Sequence, residues 1–129
     1  MNIPDDLLYT KEHEWIKIEG NKGAVGITDY AQSHLGDVTY VELPEKGKSV
    51  KQSEALAAID SVKAASDIYA PMSGTVSEVN EGLESAPESV NKDPYGAGWI
   101  AKIDIKDAEE KKNLMDSKAY KQYLESIKE

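Results

Sequence analysis

The feature that most constrains this chain is the way its apolar residues fall in short alternating runs, each closed within a few positions by glycine, proline or asparagine. "EWIKIEGNKGAVGI" shows the pattern. Ile16 and Ile18 are two apart and so share one face, "GNKG" supplies turn residues, and Ala24 to Ile27 return, which predicts a hairpin. "DVTYVEL" is a further strand stopped by Pro44 and the turn "PEKG". "EALAAI", "DIYA" and "GTVSEV" follow, and "WIAKIDI" alternates Ala101, Ile103 and Ile105 on one face. Runs this short cannot make long helices, so the chain must be mainly β. One interruption, "TDYAQSHLG", reads as a short helix. Thr28 or Asp29 caps it, Ala31 and Leu35 share a face, and Gly36 ends it. "EGLESAPESVNKDPYGAG" is rich in turn formers and is expected to be a long surface loop.

From Asp107 the period changes. Tyr120, Tyr123, Leu124 and Ile127 form a helical stripe, which predicts packing onto the β core, and Asp116-Ser117 are placed to cap that helix. Pro44-x-x-Gly47 and Pro71-x-x-Gly74 open two similar segments, a weak sign of related halves. No boundary divides the chain, so residues 1–129 are expected to form one domain, with a core over about 9–106 and a helical segment over about 107–128. That length can bury a core without metals or disulfides. Val25, Ile27, Val38, Val41, Leu56, Ile59, Val76 and Ile103 are the expected core, with Trp15 and Trp99 as packing residues.

The absence of cysteine excludes disulfides, zinc–thiolate sites and cysteine nucleophiles. With 24 acidic residues against 15 basic ones, all lysine, the net charge is −9. Such a surface repels phosphate backbones and suits docking onto basic partners. No run has the apolar length of a membrane span, and "MNIPDDLLYT" lacks the basic-then-apolar order of a secretory signal. The lack of arginine argues against a transit peptide, so a cytoplasmic location is expected.

Lys63 stands in "AIDSVKAASDIYAP" between two apolar runs, with only small or short polar neighbours. If the runs pair, Lys63 sits at a hairpin turn where a modifying enzyme can approach it without unfolding the sheet. Most exposed turn lysines are simply solvated charges. "KEHEW" and His34 supply an acid–base set of Glu12, His13, Glu14 and His34. "HE" without the second histidine of H-E-x-x-H is no zinc motif, and adjacent strand residues point to opposite faces, so neither an enzyme site nor a metal site is expected there.

"DSVKAASDIYAP", "GITDYAQSHLGDVTYVELPEKG", "SGTVSEVN" and "NKDPYGAGW" together resemble the H proteins of the glycine cleavage system, over nearly the whole chain. The resemblance implies a barrel-sandwich hybrid like lipoyl and biotinyl domains. It would have two antiparallel sheets, a short helix after the first hairpin, C-terminal helices and the lysine hairpin at one edge. It implies lipoic acid in amide linkage to Lys63, framed by Asp60, Ser61, Val62 and Ala64. It also implies a carrier rather than an enzyme, taking an aminomethyl group from glycine decarboxylase to a tetrahydrofolate-dependent aminomethyltransferase. Dihydrolipoamide dehydrogenase would then reoxidise the arm, a lipoylating enzyme would install it, and a monomer would suit such traffic.

A loaded arm ends in an amine, which carboxylates in a cleft would hold by charge-assisted hydrogen bonds. Glu14 and Asp67, which lie where the family resemblance is good, are the residues it favours, with Glu12 and His34 as further candidates. Departures from the family pattern are Asp60 for glutamate, Ser53 for glycine, Ser89 for a larger apolar residue and Ala97 for an acidic one. Two alternatives share the chemistry: an H-like protein that mainly donates lipoyl groups to other enzymes, and a lipoyl or biotinyl domain of another complex. The "HEW" hairpin and the C-terminal helices speak against the second.

Overall fold

A computed structural model describes residues 2–127. Strands β1 (Leu8–Tyr9), β2 (Glu14–Glu19), β3 (Lys22–Ile27), β5 (Ser49–Val50), β8 (Gly74–Val79) and β9 (Ala101–Ile105) form a six-stranded sheet in the order β1-β2-β3-β9-β8-β5. Strands β4 (Val38–Glu42), β6 (Ala55–Ser61) and β7 (Ala65–Tyr69) form a three-stranded sheet in the order β4-β6-β7. Every pairing is antiparallel. The first hairpin turns more tightly than its glycines suggest: Glu19 pairs with Lys22, leaving only Gly20 and Asn21 in the turn.

Helix α1 (Asp29–Leu35) follows β3. Thr28 is its cap, since Ala31 N–H donates to Thr28 Oγ1 at 3.2 Å. Gly36 ends it at φ +76° and ψ −161°, a conformation essentially restricted to glycine. The two Pro-x-x-Gly segments lie side by side: Gly47 N–H donates to Val76 O and Ser49 pairs with Thr75.

All eight expected core residues are buried, and they close two adjoining apolar clusters between the sheets. A third cluster gathers Leu7, Tyr9, Trp15 and Tyr120, where helix α4 (Ser117–Ile127) docks against β1. Trp15 is buried and its Nε1–H donates to Pro94 O, whereas Trp99 is half-buried with Lys102 over its ring. Asp116 caps α4 through Ala119 N–H. A 3-10 helix (Ala108–Asn113) precedes it.

Residues 81–98 correct the expectation of a surface loop. They hold two one-turn helices, α2 (Gly82–Ser85) and α3 (Ser89–Lys92), whose Leu83 and Val90 are buried in the core. One apolar residue per turn suffices to pin such a segment, and single residues leave no periodic trace. Ser53 also gains a physical reading. Its φ is +71°, where glycine carries no penalty and another residue is strained by about 1 kcal/mol. Among the described residues no helix is long and apolar enough to cross a membrane.

Candidate functional site

Lys63 lies in the connection between β6 and β7, as the flanking apolar runs predict. Ser61 builds the turn. Its N–H donates to Ala64 O at 2.8 Å, and its hydroxyl oxygen accepts from Lys63 N–H at 3.3 Å and Ala64 N–H at 3.1 Å. Val62 through Asp67 are all exposed, Val62 by 66 %. Small neighbours therefore leave the lysine accessible, although the tip does not wave freely. Val62 N–H donates to Asp37 O at 3.0 Å, which moors it to the α1–β4 connection.

That connection is held in turn by Asn91 of α3. Its Oδ1 accepts from Val38 N–H and its Nδ2 donates to Gly36 O, both at 2.8 Å. The Lys63 stem crosses Gly36: a Cβ placed there would stand 3.4 Å from Lys63 Cε and 3.5 Å from Cδ. The stem therefore passes within van der Waals reach of Gly36, beside the end of α1.

Next to Gly36 a cleft of about 350 Å³ runs between α1 and the β6–β7 hairpin. Ile27, Ala31, Leu35, Ile59 and Ile68 give it an apolar floor, while Glu12, His13, Glu14, His34, Ser66 and Asp67 supply polar walls. The structure therefore brings Glu12, Glu14, His34 and Asp67 together. Asp60 is not among the cleft residues; it is exposed on β6, opposite Ala65 and Tyr40. Of the other departures, Ser89 opens α3 and Ala97 is exposed.

Glu14 is the unusual group. It is only 2 % exposed, accepts a 2.5 Å hydrogen bond from Thr10 Oγ1–H and one of 3.2 Å from Tyr69 N–H, and stands between this cleft and a second lined by Thr10, Gln52 and Tyr69. Burial pushes its carboxyl up to about 7, against the pull of those two hydrogen bonds. Glu12, Asp67 and His34 are exposed at the rim. His34 Nδ1 lies 3.0 Å from Tyr30 O.

His13 overturns the argument that alternation would separate it from Glu14. It precedes β2, at φ +70°, and its ring lines the same cleft. Burial, then the neighbouring His34, lowers its proton affinity below the usual imidazole range. No hydrogen bond joins it to Glu12, Glu14 or His34 among the described residues, so the four do not form a general-base relay. Sequence reasoning missed His13 as a wall of the cleft and Asn91 as a brace, and read Gly36 only as a helix stop and Tyr120 only as a packing residue. Asn91 and Tyr120 act across 53 and 107 positions, and no local pattern reports that.

The arrangement fits a flexible hydrocarbon arm. There is an accessible amine to attach it, a stem that passes Gly36 at the end of the cleft, an apolar floor for its chain, and carboxylates for a cationic end.

Comparison with known proteins points the same way. The family model for glycine cleavage H-protein matches residues 7–127. A glycine cleavage system H protein of Symbiobacterium thermophilum is 56 % identical over 119 residues, covering 92 % of this chain and 93 % of its own. That of Thermus thermophilus is 55 % identical over 126 residues and 98 % of both chains. The crystal structure of the Mycobacterium marinum H protein superposes with a TM-score of 0.81 at 35 % identity, covering 96 % of this chain and 98 % of that one.

Proposed function

This chain belongs to the glycine cleavage H-protein family, and from that premise we propose that it is the lipoyl-bearing carrier of the glycine cleavage system, with Lys63 as the attachment point. The observation that carries the reading is the juxtaposition at Gly36, where the exposed lysine stem passes the end of a cleft with an apolar floor and acidic walls.

The bound lipoyl group supplies a dithiolane that accepts an aminomethyl group and cycles between disulfide and dithiol. This chain performs no bond-making step itself. Lys63 holds the arm by an amide, which removes the ammonium charge and lets the stem lie against Gly36 without desolvating a cation. Ile27, Leu35 and Ile59 exclude water along the chain of the arm. Glu14 and Asp67 hold a cationic amine by charge-assisted hydrogen bonds, and His34 and Glu12 border the entrance. A cation beside Glu14 favours its ionised form, so the residue gives up a proton as the amine settles. Without cysteine the chain offers no thiol to form a mixed disulfide with the arm.

Asp60 stands outside the cleft, beside the turn, and is the residue for a lipoylating enzyme to read. Glycine decarboxylase loads the arm, the tetrahydrofolate-dependent aminomethyltransferase unloads it, and dihydrolipoamide dehydrogenase reoxidises it. The acidic surface favours weak, salt-sensitive docking on each, suited to a monomer that exchanges rapidly.

The test is modification. Incubation with lipoate, ATP and a lipoate ligase should add one lipoyl mass, mapped to Lys63 and lost in Lys63→Arg. No addition, or addition spread over other lysines, would defeat the reading.

A further inference from the structure

Thr28, Tyr120 and His13 form a hydrogen-bonded row whose direction follows from counting protons. Thr28 and Tyr120 are fully buried. Thr28 Oγ1 has two neighbours: Ala31 N–H, which can only donate to it, and Tyr120 Oη at 2.8 Å. Among the described residues the Thr28 hydroxyl proton thus has Tyr120 Oη as its one acceptor. Tyr120 then sends its own proton to its remaining partner, His13 Nδ1, at 2.9 Å. A ring nitrogen that accepts carries no proton, so the proton of neutral His13 is on Nε2. Nε2 has no hydrogen-bond partner among the described residues, where no buried side-chain nitrogen or oxygen lacks one. It therefore faces accessible space, and the ring lines the cleft.

We propose that His13 is a hydrogen-bond donor of the arm cleft, fixed as its Nε2–H tautomer by Tyr120 acting as a positioning residue, and that it receives an acceptor atom of the arm, a carbonyl oxygen or a sulfur. This rests on the reading of the cleft as the arm site. Four features support it. The His13 backbone is held at φ +70° by hydrogen bonds to Thr10 O and from Thr28 N–H, a strained conformation that aims the ring. The ring also lies against Tyr30, with centroids 4.5 Å apart, and Tyr30 stacks on His34 at 4.1 Å. Glu12, Glu14 and Asp67, the carboxylates of the same cleft, act as acceptors when ionised, so a neutral N–H supplies what they lack. Burial and the facing His34 oppose a second proton on His13, and the aromatic groups packed around it, Tyr30, Tyr120 and Tyr123, carry no charge to favour one.

The test uses the full chain labelled with nitrogen-15 histidine. Long-range proton–nitrogen spectra of the unmodified protein at neutral pH should show His13 with protonated Nε2 and bare Nδ1. Tyr120→Phe should give mixed tautomers and a higher titration midpoint. Thr28→Ser keeps the donated proton and should match the wild type, whereas Thr28→Val should mix the tautomers. Charging Lys63 with lipoyl should shift Nε2 more than Nδ1. An octanoyl chain, which has the amide carbonyl but no sulfur, should reproduce that shift if the carbonyl is the acceptor and leave Nε2 unmoved if sulfur is. A wild-type His13 that is mixed or protonated at Nδ1, or Thr28→Ser and Thr28→Val chains that behave alike, would overturn Tyr120 as positioner. A chain that takes lipoyl at Lys63 without a shift at Nε2 would overturn the donor role alone. A chain that takes none at Lys63 would overturn the carrier reading, and the arm contact with it.

Discussion

The lysine turn and the His13–Glu14 corner, the two parts of the proposed arm site, are built by opposite means. Around Lys63 every side chain from Val62 to Asp67 is exposed, and the shape comes from backbone hydrogen bonds to Ser61 and Asp37. At the corner Glu14 keeps 2 % of its exposure and His13 is half-buried, each hydrogen-bonded to a residue far along the chain. Attachment requires access for a modifying enzyme, whereas a carboxylate screened from water, as Glu14 is, grips a cation more strongly. Separating the two lets each be met without compromise. It also predicts that pH and substitution act on them differently.

The largest effect is expected at the corner. Glu14 binds its proton more tightly in the folded chain than in the unfolded one, so stability falls as pH rises from its ordinary value of 4.5 toward about 7. That shift corresponds to about 3 kcal/mol. His13 contributes the opposite slope: its lowered proton affinity makes the fold weaker as pH falls below 6.5. The difference between Glu14→Gln and the wild type in denaturant midpoint across pH 4.5 to 8 isolates the glutamate. It should widen in favour of the variant as pH rises. A constant difference would mean that Glu14 is not desolvated as described.

A smaller effect is expected where the two regions meet. Gly36→Ala places a side chain at φ +76° and sets it 3.4 Å from the Lys63 stem. It should cost about 1–3 kcal/mol of stability, read by thermal unfolding. An unchanged melting point would show that the backbone at Gly36 does not require glycine.

The smallest effect is expected at the rim. Asp67 is exposed and none of the hydrogen bonds made by described residues uses its carboxylate, so Asp67→Asn should change stability by less than about 0.5 kcal/mol. Retention of the aminomethyl group on the loaded arm should nonetheless shorten, as measured by its rate of release into water. A rim residue that mattered as much to stability as Glu14 would erase the contrast between the two regions.

Much of this was legible in the chain. Short apolar runs closed by turn formers located β2, β3, β4, β6, β7, β8 and β9, with period-two alternation plain in β2 and β9. The cap at Thr28 and the stop at Gly36 followed from groups that need only their neighbours. Strands β1 and β5, of two residues each, were invisible because pairing, not periodicity, defines them. The helices α2 and α3 were hidden among turn formers, each anchored by one apolar residue. Lys63 and its proposed attachment frame stood out because the motif lies in consecutive residues.

The cleft divides the same way. Sequence alone determined which carboxylates were available and that the lysine would project from a hairpin, since local spacing and turn chemistry settle both. Tertiary structure alone decided that Glu14 would be buried and bound by Thr10 and Tyr69, that His13 would turn into the cleft beside it, and that Tyr120, 107 positions away, would hold that imidazole. Desolvation and long-range hydrogen bonds depend on what the rest of the fold brings near, and no stretch of neighbouring residues carries that information.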